Sequence, residues 1–347
     1  MDKLKLMVIC GGQSTEHTIS RMSCTSVYRE LNKEKYEITL VGIDTEGKWY
    51  ELDPQQTDLT KDTWLDNSQP IHDIYGKIKS VDVVFPVLHG LYGEDGTIQG
   101  LFELAKVPYV GCRVLGSSVA MDKIFTKKIF QQAGIKQVKS LYVKHRYDDT
   151  FVVVEEDMEE KSNIVELIRD RLGYPCFVKA SNSGSSVGCF KVERQEDVLK
   201  TLQEAAKYDR KIVVEEGIDC TELECAVLGN HEPIVSEVGE ILPAGDFYTF
   251  ESKYEDENSK TRIPAHISKE NSDYVRQTAI KAFKAIDGHG LSRVDFFLDK
   301  KTGDIYLNEI NTLPGFTKIS MYPQLCQAMG MTYSELLDKL IVLAFER

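Results

Sequence analysis

Residues 291–315, LSRVDFFLDKKTGDIYLNEINTLPG, constrain the chain more than any other stretch. A β-rich run, a turn at Asp299–Gly303 and a second β-rich run from Asp304 to Asn311 describe a hairpin. Side chains alternate faces along a strand, so Arg293 shares a face with Asp295, and Glu309 with Asn311. If the strands pair and those faces coincide, two carboxylates and an amide converge beside a guanidinium. Two carboxylates about 4 Å apart repel by roughly 4 kcal/mol at an effective dielectric of about 20, so something cationic belongs between them. Oxygen ligands from Asp, Glu and Asn suit a hard ion such as Mg²⁺, which takes phosphate oxygens and water as its other ligands. The alternative is a plain salt bridge from Arg293 to Asp295, with Glu309 merely exposed.

What lies outside the hairpin narrows the choice. The 347 residues suffice for two or three domains with sizeable cores. Net charge is −13 without a block of Lys and Arg, which argues against nucleic acid or an anionic membrane surface as a partner. No apolar run approaches the ~20 residues that span a bilayer. The opening MDKLKLMVICGG is too short in apolar residues for a signal peptide. Eight cysteines form no CxxC, and several lie in apolar runs, so reduced buried thiols are expected in a cytoplasmic protein.

Leu4–Cys10 reads as a buried strand, followed by GGQSTEHTIS and a helix-compatible run through Asn32, the opening of an α/β unit. The glycine turn lacks GxGxxG spacing, so a dinucleotide site is not supported. Glu16 sits at this turn, where helix-terminus electrostatics alone could account for an acid. Glu37–Ile43 and Val81–Leu88 continue a small parallel sheet. The latter ends in His89–Gly100, HGLYGEDGTIQG, a glycine loop with an acidic pair where open α/β sheets bind ligands. A surface turn is the simpler alternative. SSVAMDKIFTKKIFQQAGI predicts a helical stretch closing on Gly134, with Lys123 near its start.

Phe151–Val154 is a short strand, and Asn163 with Glu166 suggests a capping box. Tyr174–Val192 reads as a hairpin whose tip, SNSGSSVG, is rich in donors able to fold over phosphates, with Lys179 at its base. A ligand-free Gly/Ser loop is equally compatible. Lys211–Glu216, Glu222–Leu228 and Ile234–Leu242 are strands, and Ser268–Ile286 is a helix. Asp246–Arg262 is a long polar loop of the kind that serves as a lid, with Lys253 and Tyr254 at its centre.

Together, GGQSTEHTIS, HGLYGEDGTIQG, AMDK, the FVKxxxxGSSVG-like run, SKY, RVDFF and NEINTLPGFT resemble, in order and spacing, the D-alanine–D-alanine ligase family of ATP-grasp enzymes. The resemblance implies an α/β protein of ATP-grasp fold. A Rossmann-like N-terminal domain (1–115) would precede central (116–212) and C-terminal (213–347) α+β subdomains that sandwich ATP. It implies that Lys123 and Lys179 contact the phosphates under a Ser185–Ser186 flap, while Lys253 reaches the γ-phosphate. Glu215 and Ile218 would hold adenine and Glu222 the ribose, with Phe297 and Asn308 also at the nucleotide. Asp295, Glu309 and Asn311 would ligate two Mg²⁺ ions, with Mn²⁺ as a substitute. Glu16 would fix the amino group of the first D-amino acid and join Ser185 and Tyr254 in a triad closing the site, near His89. Arg293 and the Gly315 backbone would stabilise an oxyanion, and Ser320 and Met321 would border the second substrate. D-Alanine, ATP, K⁺ activation and a homodimer complete the family expectation. The Lys253–Tyr254 lid argues against D-lactate as second substrate and does not separate D-alanine from D-serine. Ala180 stands where the family commonly has proline, and Lys318–Ile319 has no family role to carry over.

Overall fold

The computed structural model describes residues 3–184, 187–242 and 260–346. Three sheets organise them. The first has order β4-β3-β2-β1-β5, from β1 (Leu4–Gly11), β2 (Tyr36–Ile43), β3 (Trp49–Leu52), β4 (Gln69–Pro70) and β5 (Val83–Pro86). β1 runs parallel to both β2 and β5. Its unbroken apolar run follows from burial on both faces: Leu6 and Val8 enter one core, Met7 and Ile9 another. α1 (His17–Glu30) and α2 (Ile74–Lys79) accompany this sheet.

Three helices, α3 (Thr97–Ala105), α4 (Val114–Met121) and α5 (Lys123–Gln132), lead to the second sheet. It comprises β6 (Ser140–His145), β7 (Phe151–Val154), β8 (Glu160–Lys161), β9 (Cys176–Ala180), β10 (Cys189–Val192) and β11 (Lys211–Glu216), in order β10-β9-β11-β6-β7-β8. Val178, Ile212 and Val214 point to a core with α6 (Ile164–Arg171) and α7 (Val198–Ala206). The opposite face carries Lys179 and Glu215.

The third sheet joins β12 (Cys220–Gly229), β14 (Gly239–Leu242), β15 (Lys260–Arg262), β16 (Gly290–Asp299) and β17 (Ile305–Asn311) in order β15-β14-β12-β16-β17, with β13 (Ile234–Val235) also on β12. Leu223, Cys225, Val294, Phe296, Leu307 and Ile310 pack beneath it, against α8 (Lys269–Ala285). α9 (Met321–Ala328) and α10 (Tyr333–Leu343) return to the first sheet, so Tyr322 and Leu340 share a core with Leu6 and Phe85. That shared core fixes the first sheet against the third.

Three local expectations are corrected. The helical stretch expected through AMDK is two helices, because Asp122 is extended (φ −86°, ψ 99°) and its carboxylate accepts from Ile124 N and Phe125 N as the cap of α5. Asn163 makes no side-chain cap, since its ψ of 55° lies outside extended N-cap geometry. Ile234–Leu242 is split into β13 and β14, because Ser236 Oγ accepts from Ala226 N and donates to Glu237 O, interrupting the ladder.

Candidate active site

The opening hairpin pairs as its alternation requires. Arg293 faces Asn311 and Asp295 faces Glu309, while β12 sets Glu224 opposite Asp295 and Glu222 opposite Phe297. Directly opposed residues share a face, so all seven side chains stand on one side of the sheet. A β-bulge follows Asp295: Phe296 pairs with Leu307, leaving Asn308 as the extra residue. The bulge lets adjacent Asn308 and Glu309 line the same cleft, where strict alternation would have sent them to opposite faces.

Facing them across the cleft are Lys123, Lys127, Lys179 and Glu215. Lys179 Nζ lies 6.0 Å from the Phe297 ring centre. Glu215 is nearly fully buried and bridges Lys127 at 2.6 Å and Lys179 at 2.5 Å. Burial alone would raise its pKa, yet the two ammonium groups outweigh that and hold it at about 2. Glu215 therefore sets the lysines, a role the sequence reading did not assign. Lys127 was also missed; it follows Lys123 by one helical turn on α5, and i,i+4 spacing was the available signal. Lys123 Nζ donates to Ser183 O at 2.5 Å, at the base of the SNSGSSVG loop. Ile218 is half-buried between β11 and β12, and Glu222 is half-buried on β12.

Both readings of Arg293 and Asp295 have support. Arg293 Nε and Nη2 donate to the two Asp295 oxygens at 2.8 and 2.7 Å, and Arg293 also pairs with Glu224 at 3.0 Å. Asn311 Nδ2 donates to Asp295 Oδ2 at 3.0 Å. Among the described residues, no three His, Cys, Asp or Glu converge into a self-sufficient metal cage. Asp295, Glu309 and Asn311 instead offer hard oxygen donors at adjoining register positions, the partial set that Mg²⁺ uses when phosphates supply the remainder.

Beyond Arg293 the cleft opens into a cavity of about 90 Å³. Glu16 and His89 border it from the first sheet, Gly315, Ser320 and Met321 from the segment after β17. Glu16 occupies the N-cap position of α1 but makes no side-chain cap hydrogen bond there. Its carboxylate instead fills the space beside two glycines: a β-carbon on Gly90 would lie 2.4 Å from Glu16 Oε2, and one on Gly184 2.7 Å. Ser185, Ser186, Lys253 and Tyr254, expected in the flap and lid, lie outside the described residues.

Three polar residues pin the Gly315 segment. Glu94 accepts from Gly90 N at 2.8 Å and Leu313 N at 3.0 Å. Ser23 Oγ accepts from Phe316 N at 3.2 Å, and His89 Nδ1 donates to Leu313 O at 2.9 Å. Burial and the nearby charge of Glu16 push Glu94 up to about 8. The acidic pair in HGLYGEDG was legible, but its clamp on a segment some 220 residues away was not. His89 Nε2 meets Ser23 Oγ at 3.0 Å, so the neutral Nδ1–H tautomer satisfies both contacts.

Burial lowers His89 from its ordinary 6.5 to about 4. The unfolded chain then binds more protons between those values, so stability present above pH 6.5 is lost as pH falls toward 4, by up to about 3 kcal/mol. His89→Asn, whose amide can replace the Nδ1–H donor, should flatten that acid limb. Denaturant unfolding of both proteins between pH 4 and 7 checks it; parallel curves would refute a buried neutral histidine.

A cleft between two sheets, cationic on one wall and oxygen-rich on the other, is the arrangement of an ATP-grasp enzyme, and solved structures of that fold superpose on the chain. The D-alanine–D-alanine ligase of Coxiella burnetii matches with a TM-score of 0.86 and 36% identity, covering 100% of this chain and 95% of that one. The VanG D-Ala:D-Ser ligase of Enterococcus faecalis matches at 0.85 and 36%, covering 99% and 100%. Residues 5–112 match the family described as D-ala D-ala ligase N-terminus, and residues 129–342 that described as D-ala D-ala ligase C-terminus. A D-alanine–D-alanine ligase of Ruminiclostridium cellulolyticum is 48% identical over 372 aligned residues, spanning 100% of this chain and 96% of the relative. One from Clostridium acetobutylicum is 47% identical, spanning 99% of each. The chain belongs to the D-alanine–D-alanine ligase family and is a ligase. No described helix is long and apolar enough to cross a membrane.

Proposed function

We propose that this protein joins two D-alanine molecules with cleavage of ATP to ADP and phosphate, supplying the dipeptide for peptidoglycan synthesis in the cytoplasm. The reading rests chiefly on the opposition of Lys123 and Lys179 to Asn308 and Glu309 across one cleft that continues past Arg293 into the Glu16 cavity. Phosphates in the cleft and a carboxylate beside Arg293 would be neighbours.

The chemistry follows from those groups. A carboxylate is a poor acyl donor because its leaving group would be oxide. Attack of its oxygen on the γ-phosphorus forms a new O–P bond, breaks the bond to the β-phosphate and releases ADP. Lys123, Lys179 and Arg293 offset the charge gathered in that step. Mg²⁺, when held by Asp295, Glu309 and Asn311, supplies further neutralisation of the phosphate oxygens. The amine of the second D-alanine then attacks the acyl carbon and phosphate leaves. Arg293 and the backbone at Gly315, held by Glu94, Ser23 and His89, stabilise the tetrahedral oxyanion. Glu16 binds the first ammonium group, and Ser320 and Met321 border the second substrate. An acyl phosphate hydrolyses in water, which gives the Ser185–Ser186 flap and the Lys253–Tyr254 lid the task of closing first. Glu215 orders the lysines as well as meeting adenine with Ile218, while Glu222 takes the ribose and Phe297 flanks the base. Two ions, replacement by Mn²⁺, K⁺ activation and a homodimer are carried over from the family.

The test is phosphate release from ATP and Mg²⁺ with D- and L-amino acids, singly and in pairs. D-Alanine alone should give the fastest release, coupled one-to-one to dipeptide. Faster release with D-alanine plus D-serine would make the protein a D-alanine–D-serine ligase, the reading favoured by its likeness to VanG. Turnover only with L-amino acids would defeat both.

A further inference from the structure

The cavity wall away from Glu16 includes Ile241, Thr261, Ile319 and Met321, and the proposed function puts the side chain of the second amino acid there. Met321 opens α9 and is 5% exposed. Its thioether lies across β14 at Gly239. A β-carbon on Gly239 would stand 2.8 Å from Met321 Sδ, 3.0 Å from its Cε and 3.2 Å from Leu325 Cδ2. Contacts below 3.0 Å oblige something to move.

Gly239 is a buried strand residue outside the left-handed region, so its backbone would accept alanine. Only packing calls for glycine. Leu325 and neighbouring Tyr322 have no exposed surface and sit in a filled core, whereas Met321 has three rotatable bonds and the cavity beside it. A methyl group at position 239 therefore displaces the thioether toward the cavity. Gly239 itself does not line that cavity.

We propose that Gly239 is a positioning residue for second-substrate selection: by lacking a side chain it parks the Met321 thioether against β14 and so sets the room left for the second amino acid. The proposal rests on the ligase reading given above. A smaller second site discriminates most against the larger side chain. One carbon-sized change in such a pocket shifts selectivity by about tenfold or more.

The experiment measures steady-state constants for ATP, first-site D-alanine, and second-site D-alanine and D-serine in Gly239→Ala, Met321→Ala and the double variant. Gly239→Ala should raise second-site KM for D-alanine about tenfold, and for D-serine further, with first-site and ATP constants within about twofold. In the Met321→Ala background the effect of the same alanine on the second-site constants should fall to within about twofold, since the contacts below and at 3.0 Å are gone and only the 3.2 Å approach to Leu325 Cδ2 remains. Unchanged second-site constants in Gly239→Ala would overturn the proposal. So would an equal loss across all substrates, or persistence of the effect without Met321, because each marks general distortion of β14. If Met321→Ala alone leaves both second-site constants untouched, the cavity is not the second site, and the underlying reading falls with the proposal.

Discussion

Glu309→Gln should lower ATP-dependent dipeptide formation by about 10³-fold, a loss well beyond what any change in folding stability explains. Glu309 stands at the cleft, opposite Asp295 and beside the bulged Asn308, and its charge is felt by Lys179 across the gap. An amide keeps the size and one acceptor but removes the negative charge that a hard cation requires. Several kcal/mol of phosphoryl-transfer stabilisation is at stake, and each ~1.4 kcal/mol is a decade of rate. The matched variant Asp295→Asn should lose activity as deeply and also lose stability. Asp295 is the bidentate partner of Arg293, and removing its charge weakens the pairing of a half-buried guanidinium that also meets Glu224. Phosphate release across a Mg²⁺ series, with denaturant unfolding of the same preparations, separates the two. Near-normal turnover of Glu309→Gln at millimolar Mg²⁺ would remove it from the metal site.

The contrast between those carboxylates shows what a sequence can and cannot carry. Alternation along 291–315 was enough to place Arg293, Asp295, Glu309 and Asn311 on one face, because strand period and register are local properties. The bulge that adds Asn308 to that face was not legible, since one extra residue leaves no mark in composition. Asp122 shows the same limit from another side. Its cap of α5 was hidden inside an uninterrupted helical pattern, and its side chain also accepts from Ser181 Oγ at 2.6 Å and pairs with Lys211. Glu94 and Ser23 anchor the Gly315 segment across more than 200 residues of chain, which no periodicity encodes. The motif resemblance supplied roles for single residues, but not the residues that hold those in place.

Glu215→Gln tests the least expected of these supports. If Glu215 served adenine alone, the change would raise KM for ATP and leave folding untouched. Its carboxylate instead lies 4% exposed between Lys127 and Lys179, so loss of its charge strands two ammonium groups in low dielectric. Removing the partner of such buried ions costs about 3–5 kcal/mol, and that is the destabilisation expected at pH 7. The pH dependence has a definite sign. The folded pKa of about 2 lies below the ordinary 4.5, so the contribution is complete above 4.5 and fades as pH falls toward 2. The gap between wild type and variant should therefore narrow with acid. At the other end, Lys179 is buried, which by itself lowers its pKa, yet Glu215 among other charges raises it above the free-lysine value. Without Glu215 the burial effect gains ground, and the variant should lose phosphate affinity at a lower pH than wild type does. Denaturant unfolding from pH 3 to 7 and KM for ATP from pH 7 to 9.5 provide both readouts. Unaltered stability at pH 7 would mean that the lysines do not depend on this carboxylate, and would return Glu215 to a role in base recognition only.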